Sequence, residues 1–336
     1  MKHFALQVIL LLLLPHGFFY RPRNTADIPS TVTISSIRLP IVFSFSDITY
    51  DPLGNFVSVS IPLKPAGHLF LIEAKIDDET GNFVFDTGAL RLVLNSTYFR
   101  KYAIPDNEEG GGITGSIGVL GRTSVKHIQV GNLLYENSVA DVVDLGHIEN
   151  RRGVKIFGLF GIALFKSMEM EIDFIHNQLN LYRLDKKGNR LQTAKKEAQY
   201  DLKGPVDMFH NIMVVRGKIG GKLLDFCLDT GAESNVLNSF ASKKTLSTVS
   251  ITSRGTMGGA GSGKSEVMLG TMNDFMLGDK PLNNMKTIIT NLESLSAVYG
   301  YHLDGMLGYD FFRNGLVDVN LVKKEVSISL QNDLKK

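Results

Sequence analysis

Apolar and polar residues alternate with a period of two along most of this chain. The clearest alternating segments are VSVSIPL at 57–63, LFLIEAKI at 69–76, IMVVRGKI at 212–219 and EVSISL at 325–330. This period is typical of half-buried β-strands, and the Gly, Asn and Asp residues between the segments are typical of turns. No segment carries a long helical stripe, and the best short helix candidates are residues 96–102 and 239–245. The pattern therefore predicts an all-β protein.

The chain contains an internal repeat at an offset of 143 residues. Residues 82–96 read NFVFDTGALRLVLNS, and residues 225–239 read DFCLDTGAESNVLNS. Without any gap, 11 of the 27 positions from 70 to 96 are identical to those from 213 to 239. The units of solenoid proteins are far shorter than this repeat, so the duplication predicts two similar lobes.

The similarity continues after the first block. Each D-T-G triplet is followed by a glycine-rich stretch, GGGITGSIG at 110–118 and GTMGGAGSG at 255–263, and then by an apolar segment, FGLFGIALF at 157–165 and DGMLGYDFF at 304–312. We therefore expect an N-terminal segment at 1–24, an extension at 25–48, a first lobe at 49–185, a linker at 186–200 and a second lobe at 201–336. The stretch from 184 to 203 is polar and charged, which predicts a solvated linker.

Composition and charge exclude several classes of function. The chain has 336 residues, of which 43% are hydrophobic and 21% are charged, as in ordinary globular proteins. The net charge is only +2, so no basic field is available for nucleic acid, and we expect no nucleic-acid partner. The eight histidines lack the paired spacing of metal ligands, and the sequence predicts no metal or other cofactor. Cys227 is the only cysteine, which rules out an intrachain disulfide and predicts a packed core residue.

The N-terminus predicts export. Lys2 and His3 precede an apolar run at 4–14, which ends at Pro15. This run is shorter than the roughly 20 residues that a membrane span needs, and it favours a secretory signal peptide. An uncleaved anchor, extended by the aromatic residues at 18–20, stays open as an alternative because no clean cleavage site follows. We expect a periplasmic or secreted protein in the first case, and an exported protein held at the membrane by its N-terminus in the second.

One motif competes for the functional assignment. The residues from Gly258 to Ser265 fit G-x-x-x-x-G-K-[ST], the phosphate-binding loop of many nucleotide-binding proteins. That loop works between a buried strand and a helix, because the helix N-terminus and successive backbone N–H groups hold the phosphates. Here the preceding residues are polar and the following residues, EVMLGTMNDFML, show no helical face. A nucleotide-binding protein is therefore an unfavoured alternative.

The two lobes resemble the aspartic proteases. D-T-G-A occurs at 86–89 and at 229–232, each followed by a glycine-rich segment and by an apolar-apolar-Gly triplet, at 159–161 and 306–308. The second lobe is similar to retroviral proteases (retropepsins), whereas two lobes in one chain are similar to pepsin. The chain most resembles bacterial retropepsin-like proteases with fused lobes, from about residue 50 to the C-terminus. The resemblance implies an acid protease fold, in which two retropepsin-like β-barrel lobes enclose an active-site cleft.

The resemblance implies that Asp86 and Asp229 form a catalytic dyad. Two carboxyl groups that share one proton supply both the base and the acid that hydrolysis of an amide requires. The implied active-site turn residues are Thr87, Gly88, Thr230 and Gly231. The threonines are expected to hydrogen-bond across the lobe interface, and the glycines, which lack a Cβ, to let the backbone lie beneath the carboxyl groups.

The residue after each triplet bears on the working pH. Many pepsin-like enzymes have Ser or Thr there, whose hydroxyl donates to the nearby carboxylate and favours its ionised form. Here both positions are alanine, Ala89 and Ala232. Without those donors we expect an activity profile centred at weakly acidic to near-neutral pH.

The glycine-rich segments are implied to be two mobile flaps. We expect hinges or substrate contacts at Gly111, Gly112, Gly258 and Gly259, in segments that lack the aromatic residue of the single pepsin flap. The expected partner is a peptide or protein substrate, bound as an extended strand between flap and dyad. Since one chain carries both D-T-G turns, we expect a monomer. The alternative is a catalytically silent peptide-binding module of the same fold, which would capture peptides without cleaving them.

Overall fold

The computed structural model describes residues 6–7, 50–102, 105–112, 115–191, 199–209, 212–258 and 264–331. Apart from residues 6–7, the predicted signal or anchor segment lies outside this part of the chain. Among the described helices, none has both the length and the apolar composition that crossing a membrane requires.

The described residues form twenty-four strands and four α-helices, and the prediction of an all-β fold is confirmed. The strands up to the middle of the chain are β1 (Leu6–Gln7), β2 (Ser58–Pro62), β3 (Lys64–Ala66), β4 (Leu69–Ile76), β5 (Glu79–Phe85), β6 (Leu92–Asn95), β7 (Pro105–Gly112), β8 (Gly115–Val130), β9 (Leu133–Val143), β10 (Gly158–Phe160), β11 (Met168–Asp173) and β12 (Gln178–Arg183). The remaining strands are β13 (Leu202–Phe209), β14 (Ile212–Ile219), β15 (Lys222–Leu228), β16 (Asn235–Asn238), β17 (Val249–Gly258), β18 (Lys264–Met272), β19 (Phe275–Leu277), β20 (Lys280–Leu282), β21 (Met285–Thr290), β22 (Gly305–Leu307), β23 (Gly315–Asn320) and β24 (Glu325–Leu330).

The helices are short and lie between strands. They are α1 (Gly146–Arg152), α2 (Lys243–Leu246), α3 (Glu293–Tyr299) and α4 (Tyr309–Phe312), with two 3-10 turns at Arg100–Tyr102 and Ile162–Leu164. The helix candidates at 96–102 and 239–245 yield only a 3-10 turn and the four-residue α2. The helices α1 and α3 were not predicted, because seven residues are too few to display a helical hydrophobic stripe.

The two lobes have equivalent strands with the same burial. Strand β4 is buried along its first half and alternates along its second half, where Glu73 and Lys75 point outward, and β14 has the same pattern of burial. In the first lobe the sheet runs β3-β4-β5-β10-β6-β9-β8-β7, and β4 also pairs with β8, which closes the sheet on itself. In the second lobe the corresponding run is β14-β15-β22-β16-β21-β18-β17. The internal repeat therefore corresponds to two lobes of the same design.

A six-stranded antiparallel sheet joins the lobes. Its strands run in the order β2-β12-β11-β23-β24-β13, so three come from each half of the chain and β11 pairs with β23 at the centre. One face of the central pair is apolar, with Met170 opposite Val319 and Ile172 opposite Val317, all fully buried. Burial of this face fixes the lobes relative to each other.

The prediction of a solvated linker is wrong at Arg190. Its side chain is only 5% exposed and binds the carboxylates of Glu169, Glu171 and Asp318 on the joining sheet. The guanidinium also lies 3.6 Å from the centre of the Tyr182 ring. A lone arginine in a charged stretch gives no sign of burial, because the three acids that it contacts are distant in sequence.

Candidate active site

The aspartates of both D-T-G triplets directly follow the last residue of a buried strand. Strand β5 ends one residue before Asp86, and β15 ends one residue before Asp229. Each strand pairs in parallel with a short strand from much later in the chain, β10 beside β5 and β22 beside β15. The backbone N–H of Asp86 donates to Phe160 O at 3.0 Å, and that of Asp229 donates to Leu307 O at 3.0 Å. Each turn is therefore anchored by main-chain bonds at its first residue.

The apolar-apolar-Gly triplets pack behind the turns. Gly161 and Gly308 close these triplets, and a Cβ at Gly161 would lie 2.6 Å from Ala89 O. A Cβ at Gly308 would lie 2.5 Å from Ala232 O. Only glycine fits at such distances, so the backbone at both positions supports the opposing turn.

The two turns are hydrogen-bonded to each other through their threonines. The backbone N–H of Thr87 donates to Thr230 Oγ1 at 3.0 Å, and the backbone N–H of Thr230 donates to Thr87 Oγ1 at 3.0 Å. Each hydroxyl then donates to a carbonyl of the other lobe, Thr87 to Leu228 O at 3.0 Å and Thr230 to Phe85 O at 2.8 Å. The expected contact across the lobe interface is therefore present, and it fixes one aspartate relative to the other.

The carboxyl groups of Asp86 and Asp229 face each other at the centre of this arrangement. A Cβ at Gly88 would lie 2.5 Å from Asp229 Oδ2, and one at Gly231 would lie 2.5 Å from Asp86 Cγ. Both aspartates are fully buried, and their carboxyl groups are in direct hydrogen-bonding contact. The two glycines therefore permit an approach that any larger residue would prevent.

The environment opposes ionisation of both groups, but unequally. Burial raises the pKa of Asp86 to about 6, against the lowering effect of its hydrogen bonds. The largest of these bonds comes from the Asp229 carboxyl group, and the others come from the N–H groups of Gly88 and Ala89, each 3.0 Å from Asp86 Oδ1. Burial, together with the negative charge of Asp86, raises the pKa of Asp229 well above its usual range. The two carboxyl groups therefore titrate as a coupled pair, and their ionisation takes place in two separate steps.

A single proton satisfies the pair. If both groups are ionised, the Oδ2 atom of Asp86 and the Oδ2 atom of Asp229 are buried and have no hydrogen-bond donor among the described residues. A proton held between the two groups supplies the missing donor, and their direct contact allows it. The arrangement can thus present one carboxylate and one carboxylic acid side by side.

The predicted flap residues lie at the ends of hairpin strands. Gly111 and Gly112 end β7, which pairs with β8, and Gly258 ends β17, which pairs with β18. Gly259 lies outside the described residues. The hairpins occupy equivalent places in the two lobes, and the hinge role of these glycines stays a prediction.

The hairpin geometry contradicts the nucleotide-binding alternative. Gly258 pairs with Lys264, and Lys264 begins strand β18 rather than a helix. A phosphate-binding loop needs a helix N-terminus at that position, because the first helical N–H groups and the helix dipole hold the phosphates. The match to that motif therefore reflects a glycine-rich hairpin.

Several contacts near the turns involve residues that sequence reasoning missed. His68 of the first lobe has Nδ1 3.0 Å from Glu233 O and stacks on Tyr309 with 4.2 Å between ring centres. Burial lowers the pKa of His68. Arg152, also of the first lobe, forms an ion pair with the Glu233 carboxylate. The signal in the sequence was the difference between the repeats, since the second lobe reads A-E-S where the first reads A-L-R.

A further missed residue, Tyr299, lies beside the first turn. It is 5% exposed, and its hydroxyl lies 3.4 Å from Gly88 O and in hydrogen-bonding contact with the Cys227 thiol. As predicted, Cys227 is a packed core residue, fully buried. Burial raises the pKa of both Cys227 and Tyr299 well above their usual ranges, so both groups stay neutral.

Comparison with known proteins agrees with this geometry. The family model described as aspartyl protease matches residues 72–164 and 215–311, which together make up more than half of the chain. No curated protein matches the sequence. Among solved structures, the aspartic proteinase from Irpex lacteus is similar in fold, with a TM-score of 0.52 and 12% sequence identity over 82% of this chain and 98% of that chain. Each of the two matched regions contains one D-T-G turn, and the chain belongs to the aspartyl protease family.

Proposed function

We propose that this protein is an aspartic endopeptidase in which Asp86 and Asp229 together activate a water molecule. The observation that carries the proposal is the contact of two fully buried carboxyl groups whose pKa values are raised to different extents. Pairs of acids whose environments separate their titrations are typical of catalytic sites. A purely structural pair of turn acids has no need of such a contact.

The unequal environments assign a starting role to each acid. The carboxylate of Asp86 accepts a proton from water, whose oxygen attacks the carbonyl carbon, while the carboxylic acid of Asp229 gives its proton to the carbonyl oxygen. In the second step Asp86 gives its proton to the leaving nitrogen, Asp229 takes one from a hydroxyl of the tetrahedral intermediate, and the C–N bond breaks. The products are a carboxylic acid and an amine, and the pair again holds one proton.

We also propose that the substrate binds as an extended strand against the hairpins. The edge of β17 supports this idea, because the short strand β1 pairs with it in parallel at Met257 and Gly258. That edge therefore has the geometry to pair with an extended strand, as a bound peptide requires. Main-chain pairing would give affinity for many sequences, and pockets for alternate side chains would give specificity.

The location of the enzyme is a further part of the proposal. The apolar run at 4–14 supports export to a periplasmic or secreted location, either after cleavage or with the segment kept as an anchor. Fractionation of cells that express the full chain with a C-terminal tag tests this point. Recovery of the tagged protein in the cytoplasm alone would refute it.

The test of the catalytic proposal is peptide hydrolysis by single-site variants. Purified protein is incubated with a peptide library and with a denatured protein over a range of pH, and new termini are identified by mass spectrometry. We expect cleavage by the unmodified protein and none by Asp86→Asn or Asp229→Asn, because each variant lacks one of the two groups that exchange protons.

Asp225→Asn is the matched control. Asp225 lies in β15 four residues before the dyad aspartate, where it binds Arg216 and Tyr301 on the outer surface of the lobe. This variant should retain activity. Substantial activity of either dyad variant would refute the assignment, and capture of peptides without cleavage by the unmodified protein would support the silent binding module instead.

A further inference from the structure

The helices α1 and α3 are equivalent elements of the two lobes. Each has seven residues, begins after a leucine of nearly identical backbone conformation, and ends before a glycine with φ near +60°. Their last residues are therefore equivalent in position, but one is Arg152 and the other is Tyr299. The duplicated frame places two chemically different side chains at matching points.

Each of these residues reaches across to the other lobe. Arg152 binds the side chain of Glu233, four residues after Asp229, whereas the hydroxyl of Tyr299 approaches the backbone of Gly88, two residues after Asp86. The two contacts differ in kind, since one joins two charged side chains and the other joins a neutral hydroxyl to a main-chain carbonyl. Only the second acts directly on the peptide bonds of a D-T-G turn.

The carbonyl that Tyr299 contacts belongs to the peptide unit that serves Asp86. The Gly88 carbonyl and the Ala89 N–H are the two ends of one planar peptide unit. The Ala89 N–H donates to Asp86 Oδ1 at 3.0 Å, while the Tyr299 hydroxyl points to the Gly88 carbonyl oxygen at 3.4 Å, longer than the roughly 2.5–3.0 Å of an ordinary O–H···O bond. A bond at the carbonyl end both orients the N–H and polarises it toward the carboxylate.

We infer that Tyr299 is a positioning residue that holds the Gly88–Ala89 peptide toward Asp86, so that Asp86 carries the negative charge of the pair. This inference rests on the proposed function for its consequence in catalysis, although the contact itself is independent of it. Tyr299 acts through the peptide and does not touch the reacting atoms. The equivalent residue of the first lobe, Arg152, forms an ion pair with Glu233 of the second lobe instead.

The surroundings keep this contact intact over the working pH range. The titratable groups that face Asp86 in the described structure are Asp229, Cys227 and Tyr299 itself. Burial raises the pKa of the Tyr299 phenol and of the Cys227 thiol, so both remain protonated while the aspartates titrate. Any change in the titration of the pair after Tyr299 is altered therefore reports the lost hydroxyl.

The test is the variant Tyr299→Phe, which removes the hydroxyl and keeps the ring. We expect the lower pKa of the dyad to rise, since the Ala89 N–H is held less firmly against the Asp86 carboxylate. The acid limb of the profile of kcat/KM should move to higher pH, and kcat at the optimum should fall about fivefold, the loss that corresponds to about 1 kcal/mol. KM should be nearly unchanged.

The control is Tyr301→Phe. Tyr301 follows the same helix, but its hydroxyl binds Asp225 at 2.6 Å, away from the turns. Its removal should leave the acid limb in place. Tyr299→Met also lacks a donor and should shift the acid limb in the same way as Tyr299→Phe. It replaces Tyr299→Phe in the test if the phenylalanine variant does not fold.

A second measurement separates this inference from the proposed function. Carbon-13 NMR of labelled aspartates follows the titration of the dyad whether or not the protein cleaves peptides. An upward shift in Tyr299→Phe supports the inference even in a protein without hydrolytic activity, which would itself overturn the proposed function. A loss of stability with an unchanged dyad titration in both variants would overturn the inference and leave the proposed function standing.

Discussion

The buried dyad should make the protein less stable as the pH rises from acid to neutral. In the folded state the pKa of Asp86 is raised to about 6 and that of Asp229 is raised further, whereas both aspartates have ordinary values near 3.8 in the unfolded chain. The folded protein therefore binds more protons than the unfolded chain above about pH 4. Its stability is greatest below that pH and falls as the pH rises through the folded-state values.

The size of this effect follows from the shift at Asp86. A difference of about two pKa units, at 1.36 kcal/mol for each unit, corresponds to about 3 kcal/mol lost between pH 4 and pH 7. Asp86 is fully buried, so solvent screening does not reduce this figure. The shift at Asp229 has the same sign and adds to the loss. The double variant Asp86→Asn/Asp229→Asn removes both titrations. The free energy of unfolding of this variant minus that of the unmodified protein should therefore be larger at pH 7 than at pH 4 by at least that amount.

The assay is urea unfolding, followed by circular dichroism because the chain has no tryptophan. The free energy of unfolding of both proteins is measured from pH 4 to pH 7, and gels confirm that the unmodified protein remains intact. The contributions of other titrating groups are common to both proteins and cancel in the difference between their free energies of unfolding. The control Asp144→Asn/Asp279→Asn changes two exposed aspartates, one in each lobe, and should give a difference independent of pH. If the double dyad variant also gives a constant difference, the two carboxyl groups ionise without cost and the description of the site is incorrect.

The other predictions concern assembly, working pH and the joining sheet. Activity per molecule should stay constant on dilution, because one chain carries both aspartates, and a fall on dilution would show a site formed between chains. Ala89→Ser and Ala232→Ser should each move the activity profile toward acid by adding a donor near a carboxylate, and an unmoved profile in the double serine variant would refute this reason for a near-neutral optimum. Arg190→Met should cost about 3–5 kcal/mol in urea unfolding at pH 7, because it removes the cation that contacts three buried acid groups. Arg216→Met, which breaks an exposed ion pair, should leave the free energy of unfolding nearly unchanged. An equal loss of stability in both variants would show that the ion pairs of Arg190 stabilise the fold no more than an exposed pair does.

The features that sequence predicted are those that the duplication repeats. Alternating apolar positions predicted the strands, and the two copies of D-T-G-A predicted the paired turns, because a constraint that acts twice leaves the same residues at the same spacing. Thr87 and Thr230 meet across the interface for this reason. A single lobe would have given a much weaker signal.

The features that sequence missed occur only once. Arg152, Tyr299 and Arg190 act on residues that are distant in the chain, and nothing near them in sequence records the contact. None of them is part of what the two copies of the repeat share, so the similarity of the two copies gives no sign of them. The difference between Ala-Leu-Arg and Ala-Glu-Ser after the two triplets was visible, but its meaning required the position of the opposite lobe.

Hydrolysis of a peptide bond by two carboxyl groups requires that they differ in protonation, because one must begin as a base and the other as an acid. Two identical half-sites would share the proton equally and leave the direction of the substrate undefined. In this chain the repeat supplies the common frame, and the unrepeated residues remove the equivalence, with Tyr299 supporting the peptide at Asp86 and Arg152 held by Glu233 at the other turn. A chain with both lobes can change each side separately, which a dimer of identical subunits cannot do. On the proposed mechanism, the residues in which the two lobes differ are therefore those through which the roles of acid and base are assigned.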